Sequence, residues 1–246
     1  MTAITRSEDH HYTYEGVTYP GVTGILKVLD KSDALMAWAA RNTAEAAIRM
    51  LDTLPSMIGT VGEDGVVKAL TSRSSWINQQ AKDLGSEIHR LADLVNTGTP
   101  TPPMEGDVRT RVLSYAEWLR NSGWRVRASE AMLIDPDLGY GGTLDLLAYD
   151  RDGRTVLADI KSGRIDYRGK VYDSIILQLA AYGMAKVGEI GTTLFNMPKV
   201  DRYAVIHVTM DGTREVEVNV GALEREAFAA CVRLSAWRES VKGKRL

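Results

Sequence analysis

Asp145, Asp159 and Lys161 lie on two short runs of alternating character, 143–150 and 155–161, joined by Arg151-Asp152-Gly153. A three-residue hairpin loop made of a type I turn and a left-handed third residue wants glycine in third place, and Gly153 occupies it. In that register Asp150 faces Arg154. Counting back along both strands, Asp145 then faces Asp159, with Lys161 two residues further along the same side. A two-residue loop of Asp152-Gly153 would instead put the two aspartates on opposite faces. Leu144, Leu146, Ala148, Val156, Ala158 and Ile160 fill the other face, so an apolar core stands behind the charged end. Two carboxylates about 5 Å apart repel and need cations to stay ionised. Lys161 supplies one charge and a divalent ion would supply two more; hard oxygen donors suit Mg2+ or Mn2+ far better than zinc. A solvated Asp/Lys pair on a surface hairpin is the plainer reading. Against it, Gly141-Gly142 before the first strand and Ser162-Gly163 after the second leave backbone clear at the same end, where a ligand can approach closely.

These side chains need elements to hold them. A Tyr/Thr-rich opening can pair as a short hairpin around Glu15-Gly16, and Ser32 or Asp33 can cap an Ala-rich helix running to about residue 51. The stretch 55–71, with Gly59, Gly62 and Gly65, reads as a loop. Ile77, Ala81, Leu84, Ile88, Leu91 and Val95 mark an amphipathic helix that ends before Gly98, and Val108, Val112, Tyr115, Ala116 and Leu119 mark another, stopped by Asn121-Ser122-Gly123. The period then changes from helical to alternating. Trp124, Val126, Ala128, Glu130, Met132 and Ile134 share one strand face, on which Glu130 is the odd residue and requires a partner. A helix is expected near 173–187, a hairpin from 203–209 and 214–220 around Asp211-Gly212, and a last helix at 222–241. On the first of these, Gln178 and Tyr182 are four apart and project from one face, able to meet a phosphate or the lysine, or simply to pack. The segment 161–170 holds Lys161, Arg164, Arg168 and Lys170 against Asp166 alone, with Tyr167 between. Such a stretch can contact phosphates and stack on a base, or stand as a solvated loop.

Taken in order, Gly141-Gly142-Thr143-Leu144-Asp145, Ala158-Asp159-Ile160-Lys161-Ser162-Gly163 and Gln178-Leu179-Ala180-Ala181-Tyr182 resemble the RecB-like branch of the PD-(D/E)xK nuclease superfamily. Upstream, Gly85-Ser86-Glu87-Ile88-His89 matches the G-x-x-x-H element of that branch. Tyr19-Pro20-Gly21-Val22-Thr23-Gly24-Ile25-Leu26 with Trp38-Ala39-Ala40 is similar to phage-encoded members. The matches span about residues 19–182. The resemblance implies an α/β fold with a restriction-endonuclease-like core, a mixed central β-sheet flanked by helices. It implies one nuclease domain over 1–246: a mainly helical part at 1–122, the catalytic sheet with its motif helix at 123–220, and a C-terminal helix at 221–246. It also implies metal-binding carboxylates at Asp145 and Asp159, a backbone ligand at the Ile160 carbonyl and an imidazole ligand at His89. Lys161 would hold and polarise the attacking water or stabilise charge on the phosphate, and Gln178 and Tyr182 would serve the same centre. Glu130 would be an added metal or water ligand, or a structural salt bridge. A lone helical histidine is elsewhere more often a capped or partly exposed side chain; here Gly85, one turn earlier on the same stripe, clears room beside His89.

The implied activity is Mg2+- or Mn2+-dependent hydrolysis of DNA, by an exonuclease that resects ends for recombination or repair. A sequence-specific endonuclease on the same fold and a catalytically silent DNA-binding module are the alternatives. A single-strand annealing protein is a partner of some relatives, and self-association is compatible with the family. Composition sets the outer bounds. With 246 residues, 44% of them apolar and 25% charged, the chain has the make-up of a globular protein with a genuine core. Cys231 is the only cysteine, which excludes an internal disulfide framework, a four-cysteine zinc site and the iron–sulfur cluster that some relatives carry. That single thiol suits a reducing compartment, and no apolar run approaches the roughly 20 residues of a membrane span, so a cytoplasmic protein is expected. The formal charge of −2 shows no global basic excess. DNA contact would therefore rest on local charge at Arg164, Tyr167, Arg168 and Lys170, and salt-sensitive binding is expected to be lost when Arg164 and Arg168 are replaced.

Overall fold

The computed structural model describes residues 4–29, 32–167 and 170–242. In chain order the elements are β1 (Thr5–Arg6), β2 (His11–Tyr14), β3 (Val17–Pro20), α1 (Val22–Ile25), α2 (Ser32–Arg49), α3 (Leu54–Asn96), α4 (Gly106–Ser122), β4 (Arg125–Asp135), β5 (Tyr140–Tyr149) and β6 (Thr155–Lys161). They continue with β7 (Asp166–Tyr167), β8 (Lys170–Val171), α5 (Asp173–Met184), β9 (Val187–Ile190), β10 (Thr193–Asn196), β11 (Arg202–Thr209), β12 (Gly212–Val218) and α6 (Ala222–Val241). The chain divides into two compact units, Asp30–Ser86 and the remainder.

The smaller unit is helical. The stretch 55–71, expected as a loop, lies within α3, which is broken at Gly62 (φ 73°, ψ 171°). Glycine costs a helix about 1 kcal/mol but does not forbid it, so Gly59 and Gly65 are carried along. Only Gly62 takes a left-handed conformation.

The larger unit is an α/β assembly around a mixed sheet with strand order β10-β9-β4-β5-β6-β11-β12, in which β6 and β11 run parallel and the other neighbours antiparallel. The opening hairpin forms as expected, with Glu15 and Gly16 both at positive φ (49° and 77°), the geometry a two-residue turn requires. Expected α5 is three residues shorter at its C-terminus. Val187 begins the edge hairpin β9–β10 instead, which no turn signal in the sequence had marked. Leu147 and Leu157 are fully buried with Leu179 and Ala181 of α5 and Phe228 of α6. Leu146, Ala148, Val156 and Ala158 are buried too, so the sheet interior is largely apolar and the buried carboxylates Asp145 and Asp159 stand out within it.

The central hairpin has the expected register, Tyr149↔Thr155 through Leu146↔Ala158, with Gly153 at φ 77°. Asp150 closes its turn. One carboxylate oxygen accepts the Asp152 and Arg154 N–H groups, both at 3.0 Å; the other accepts Arg154 Nε at 2.9 Å and Arg202 Nη1 at 3.0 Å. Burial alone would raise the Asp150 pKa, yet these donors hold it below its ordinary value. Asp150→Ala is expected to cost about 2–4 kcal/mol in a urea titration, because it strips the turn and leaves Arg202 short of a partner. The folded value lies below the unfolded one, so the charge-dependent stabilisation is complete above the ordinary value of about 3.9 and fades as the pH falls through the depressed one. The stability gap between the wild type and Asp150→Asn should therefore narrow below about pH 4.

The shared face expected for β4 is split. Register shifts between Val126 and Ala128, and Glu130 takes φ 48°, so strict alternation fails twice. Ala128, Ala131 and Leu133 join the main core, while Met132 and Ile134 pack with Ile4 and Tyr12.

Candidate metal centre

The departure of β4 from regular pleating builds the site. Glu130 falls between the pairs Ser129↔Leu146 and Ala131↔Leu144, opposite Asp145 of β5. A left-handed glutamate costs on the order of 1–3 kcal/mol and persists where its surroundings over-determine it. On the other flank, the β5–β6 ladder stops at Leu146↔Ala158, one step short of Asp145 and Asp159. Where the strands part, Asp145 Oδ2 accepts the Ile160 N–H at 2.6 Å. Ile160, expected to offer its carbonyl, thus also fixes the carboxylate through its amide.

His89, from the last turns of α3, completes the group. Its Nδ1 lies 3.4 Å from Asp145 Oδ1 and 3.7 Å from Glu130 Oε1. One potential ligand atom from each of His89, Glu130 and Asp145 lies within 4.8 Å of the other two, so the three could hold a metal ion. The donors would be one imidazole nitrogen, a borderline ligand, and two carboxylates, which are hard, a set that fits a divalent cation. Asp159, expected as a ligand beside Asp145, is not in this group. Its Oδ2 is 2.5 Å from Lys161 Nζ, and neither of its buried oxygens has a well-aligned hydrogen-bond donor.

The electrostatics follow from these contacts. Burial opposes charge on His89, but Asp145 and then Glu130 outweigh it and push the imidazolium up to about 10. Burial likewise opposes ionisation of Asp145, and there His89, Lys161 and the Ile160 N–H prevail, so it stays below its ordinary value. Asp159 is pushed up to about 6 by burial, against the pull of Lys161 and with the help of Asp145's charge. Glu130 is raised, burial again leading. Lys161 is disfavoured as a cation by burial but is raised by Asp159 and Asp145, so it stays protonated. Two neighbouring aspartates are driven apart because His89, Lys161 and the Ile160 N–H outweigh burial at Asp145, whereas at Asp159 burial prevails over the pull of Lys161 and His89.

Gln178 and Tyr182 meet each other: Gln178 Nε2 donates to Tyr182 Oη at 2.9 Å. The Tyr182 ring is buried against Gly142, where a Cβ would come within 2.5 Å of Cε1, which explains why glycine stands there. The charges of Asp145 and Asp159 reach the phenol, but among the described residues neither Gln178 nor Tyr182 hydrogen-bonds to Asp145, Asp159 or Lys161. In the basic stretch, Arg164 Nε donates to the Asp166 carbonyl at 2.7 Å, and Tyr167 pairs with the exposed Lys170 across β7–β8. Arg168 lies outside the described residues.

Sequence reading missed several residues that hold the site. Arg111 of α4 donates through Nη1 to the Ser162 carbonyl at 3.2 Å and the Val208 carbonyl at 2.8 Å, clamping the ends of β6 and β11. Asn96 accepts from Tyr115 Oη at 2.5 Å and donates to Ser129 at 3.0 Å, fixing α3 next to the β4 irregularity. Tyr12 meets Thr143 at 3.0 Å. All are long-range pairs with no local sequence signal.

No family model matches the chain, and no curated protein matches it. Among 22 solved chains that do match, one described as the crystal structure of SSO0001 is 14% identical, with a TM-score of 0.33 over 53% of this chain and 60% of that one. The chain thus spans less than two thirds of that protein, and so distant a likeness carries no weight for fold or function. Among the described residues, no helix is long and apolar enough to cross a membrane.

Proposed function

We propose that the protein is a metal-dependent deoxyribonuclease on a restriction-endonuclease-like core, an exonuclease that degrades DNA from its ends. The observation that carries this reading is the convergence of His89, Glu130 and Asp145 beside the ion pair of buried Asp159 with half-buried Lys161. Carboxylates brought together from three neighbouring strands are best explained by a cationic occupant, and a protonated lysine next to them suits an anionic substrate.

His89, Glu130 and Asp145 would hold Mg2+ or Mn2+, which when bound lowers the pKa of water and neutralises charge gathering on a phosphodiester. The chain's own residues do the rest. The Ile160 N–H keeps Asp145 oriented, and His89, in giving up its proton, would offer the ion a ring nitrogen. Asp159 holds the Lys161 ammonium in place, and because Lys161 stays protonated it acts as a fixed positive charge toward the phosphate oxygens and not as a base. Hydrolysis adds water across one P–O bond, giving a phosphate monoester and a free hydroxyl. The buried walls around Asp145 and Asp159 keep the dielectric low, which strengthens each of these interactions.

Linear and closed circular duplexes of the same sequence separate the readings. An exonuclease consumes the linear form in Mg2+ and leaves the circle intact. Cutting of the circle at fixed sites would replace this reading with that of an endonuclease, and binding without any cleavage would replace it with a silent module.

A further inference from the structure

The row of residues leading away from Lys161 along the sheet has no part in the centre described above. Lys161 of β6 is paired in register with His207 of β11, and His207 with Arg214 of β12. Registered partners point to the same face, so the three side chains form a line across three strands, about 5 Å per step. Beside this line lies a hollow of about 340 Å³ open to solvent, lined by His207, Thr209, Asp211, Gly212, Thr213 and Arg214.

We infer that this hollow is a phosphate subsite, in which Arg214 grips the DNA backbone next to the phosphodiester that Lys161 faces. The inference rests on the deoxyribonuclease reading and extends it by naming where the substrate strand runs.

Charge balance on the β11–β12 hairpin is the first support. Arg202, at its far end, is matched by Asp150 at 3.0 Å, Glu215 at 2.7 Å and Glu217 at 3.5 Å. Arg214 is exposed, and among the described residues it forms no ion pair, not even with Asp211 in the same hollow. An exposed guanidinium without a carboxylate, set in line with a half-buried lysine, is placed for a bidentate anion.

The second support is orientation. His207 Nε2 meets the Gly163 carbonyl at 2.9 Å, and its Nδ1 meets Arg214 Nη2 at 3.5 Å. A carbonyl partner needs the proton on Nε2, which leaves the Nδ1 lone pair to accept from the guanidinium. His207 therefore ties Arg214 to the turn that immediately follows Lys161. Arg111 grips the Ser162 carbonyl of that same turn. A phosphate on Arg214 and a phosphate facing Lys161 would so be held by one piece of backbone, two strand steps or about 10 Å apart. Thr213 is hydrogen-bonded to Ser114 at 2.8 Å, which fixes it as part of the wall. His207 is a positioning residue here; the anion is taken by Arg214.

The test is fluorescence anisotropy of a fluorescein-labelled DNA duplex in chelator, where nothing is cut, at a series of salt concentrations. Wild type, Arg214→Gln and Arg214→Lys are compared. For Arg214→Gln the slope of log affinity against log salt is expected to fall by about one phosphate contact, with affinity near 0.1 M salt reduced by about 5- to 20-fold. Arg214→Lys should keep the slope, which a merely structural role for the side chain would not explain. Wild-type binding with an unchanged slope in Arg214→Gln overturns the subsite and leaves the nuclease reading standing. Failure of the wild type to bind at low salt overturns both.

Discussion

Lys161→Ala is expected to lower the turnover of linear DNA about 10²- to 10³-fold at saturating Mg2+ while leaving the protein folded. The ammonium is half-buried and kept protonated by Asp159 and Asp145, so its charge is less screened toward a phosphate next to it than that of a surface lysine. An interaction that matters most as charge builds on the phosphate lowers kcat and kcat/KM together. Removing the lysine strands Asp159, but that carboxylate, already pushed up to about 6, can take up a proton and so limit the damage to stability. Lys161→Arg should restore little, because a planar guanidinium does not fit the space 2.5 Å from Asp159 Oδ2 that an ammonium fills. Steady-state rates with the melting temperature as a folding control check the prediction. A Lys161→Ala enzyme with more than a tenth of wild-type turnover would remove the lysine from the mechanism.

The second large effect concerns metal affinity, measured by calorimetric titration with Mn2+ in the absence of DNA. Asp145→Ala should weaken binding by about 100-fold or more, since even partners one shell removed from a metal are worth about 10–100-fold. Glu130→Gln should fall in that same range if the φ 48° conformation serves to aim the carboxylate at the ion, whereas a purely structural salt bridge to His89 would leave Mn2+ affinity nearly unchanged. Lys161→Met supplies the contrast. It removes a cation from beside the centre, so Mn2+ should bind at least as tightly as to wild type even though cleavage is lost. Opposite shifts of this kind would separate residues that hold the metal from one that meets the phosphate. Equal Mn2+ affinity in Asp145→Ala and wild type would contradict the proposed ligand set.

What was legible in the sequence is what short-range chemistry encodes. Gly153 at the third loop position fixed how β5 meets β6, and with it the approach of Asp145 to Asp159, before any tertiary contact was considered. Gly123, at φ 71°, ended α4 where Asn121-Ser122-Gly123 said it would. Glu130 stood out as a carboxylate on a strand, but its left-handed backbone, which turns it toward Asp145, has no local signature because glutamate does not favour that region. Asp145 and Asp159 are expected as ligands; in the structure Glu130 stands with Asp145 and His89, while Asp159 lies beside Lys161 where the β5–β6 ladder stops. The helical stretch around Gly59 and Gly65 was misread because glycine signals a loop only when its φ demands one, and Gly62 alone does. Arg111, His207 and Arg214 were invisible for another reason. Each acts on backbone dozens of residues away, or across a register that only the folded sheet defines.

The measurement that bears most directly on the central claim is digestion of linear DNA labelled at its 5′ or 3′ end by the purified protein, in Mg2+ or Mn2+ and in chelator, with Asp145→Asn run alongside. The account expects metal-dependent loss of DNA by the wild type, none in chelator and none by Asp145→Asn at equal metal. Intact DNA in both metals, or digestion that Asp145→Asn performs as well as the wild type, would contradict it.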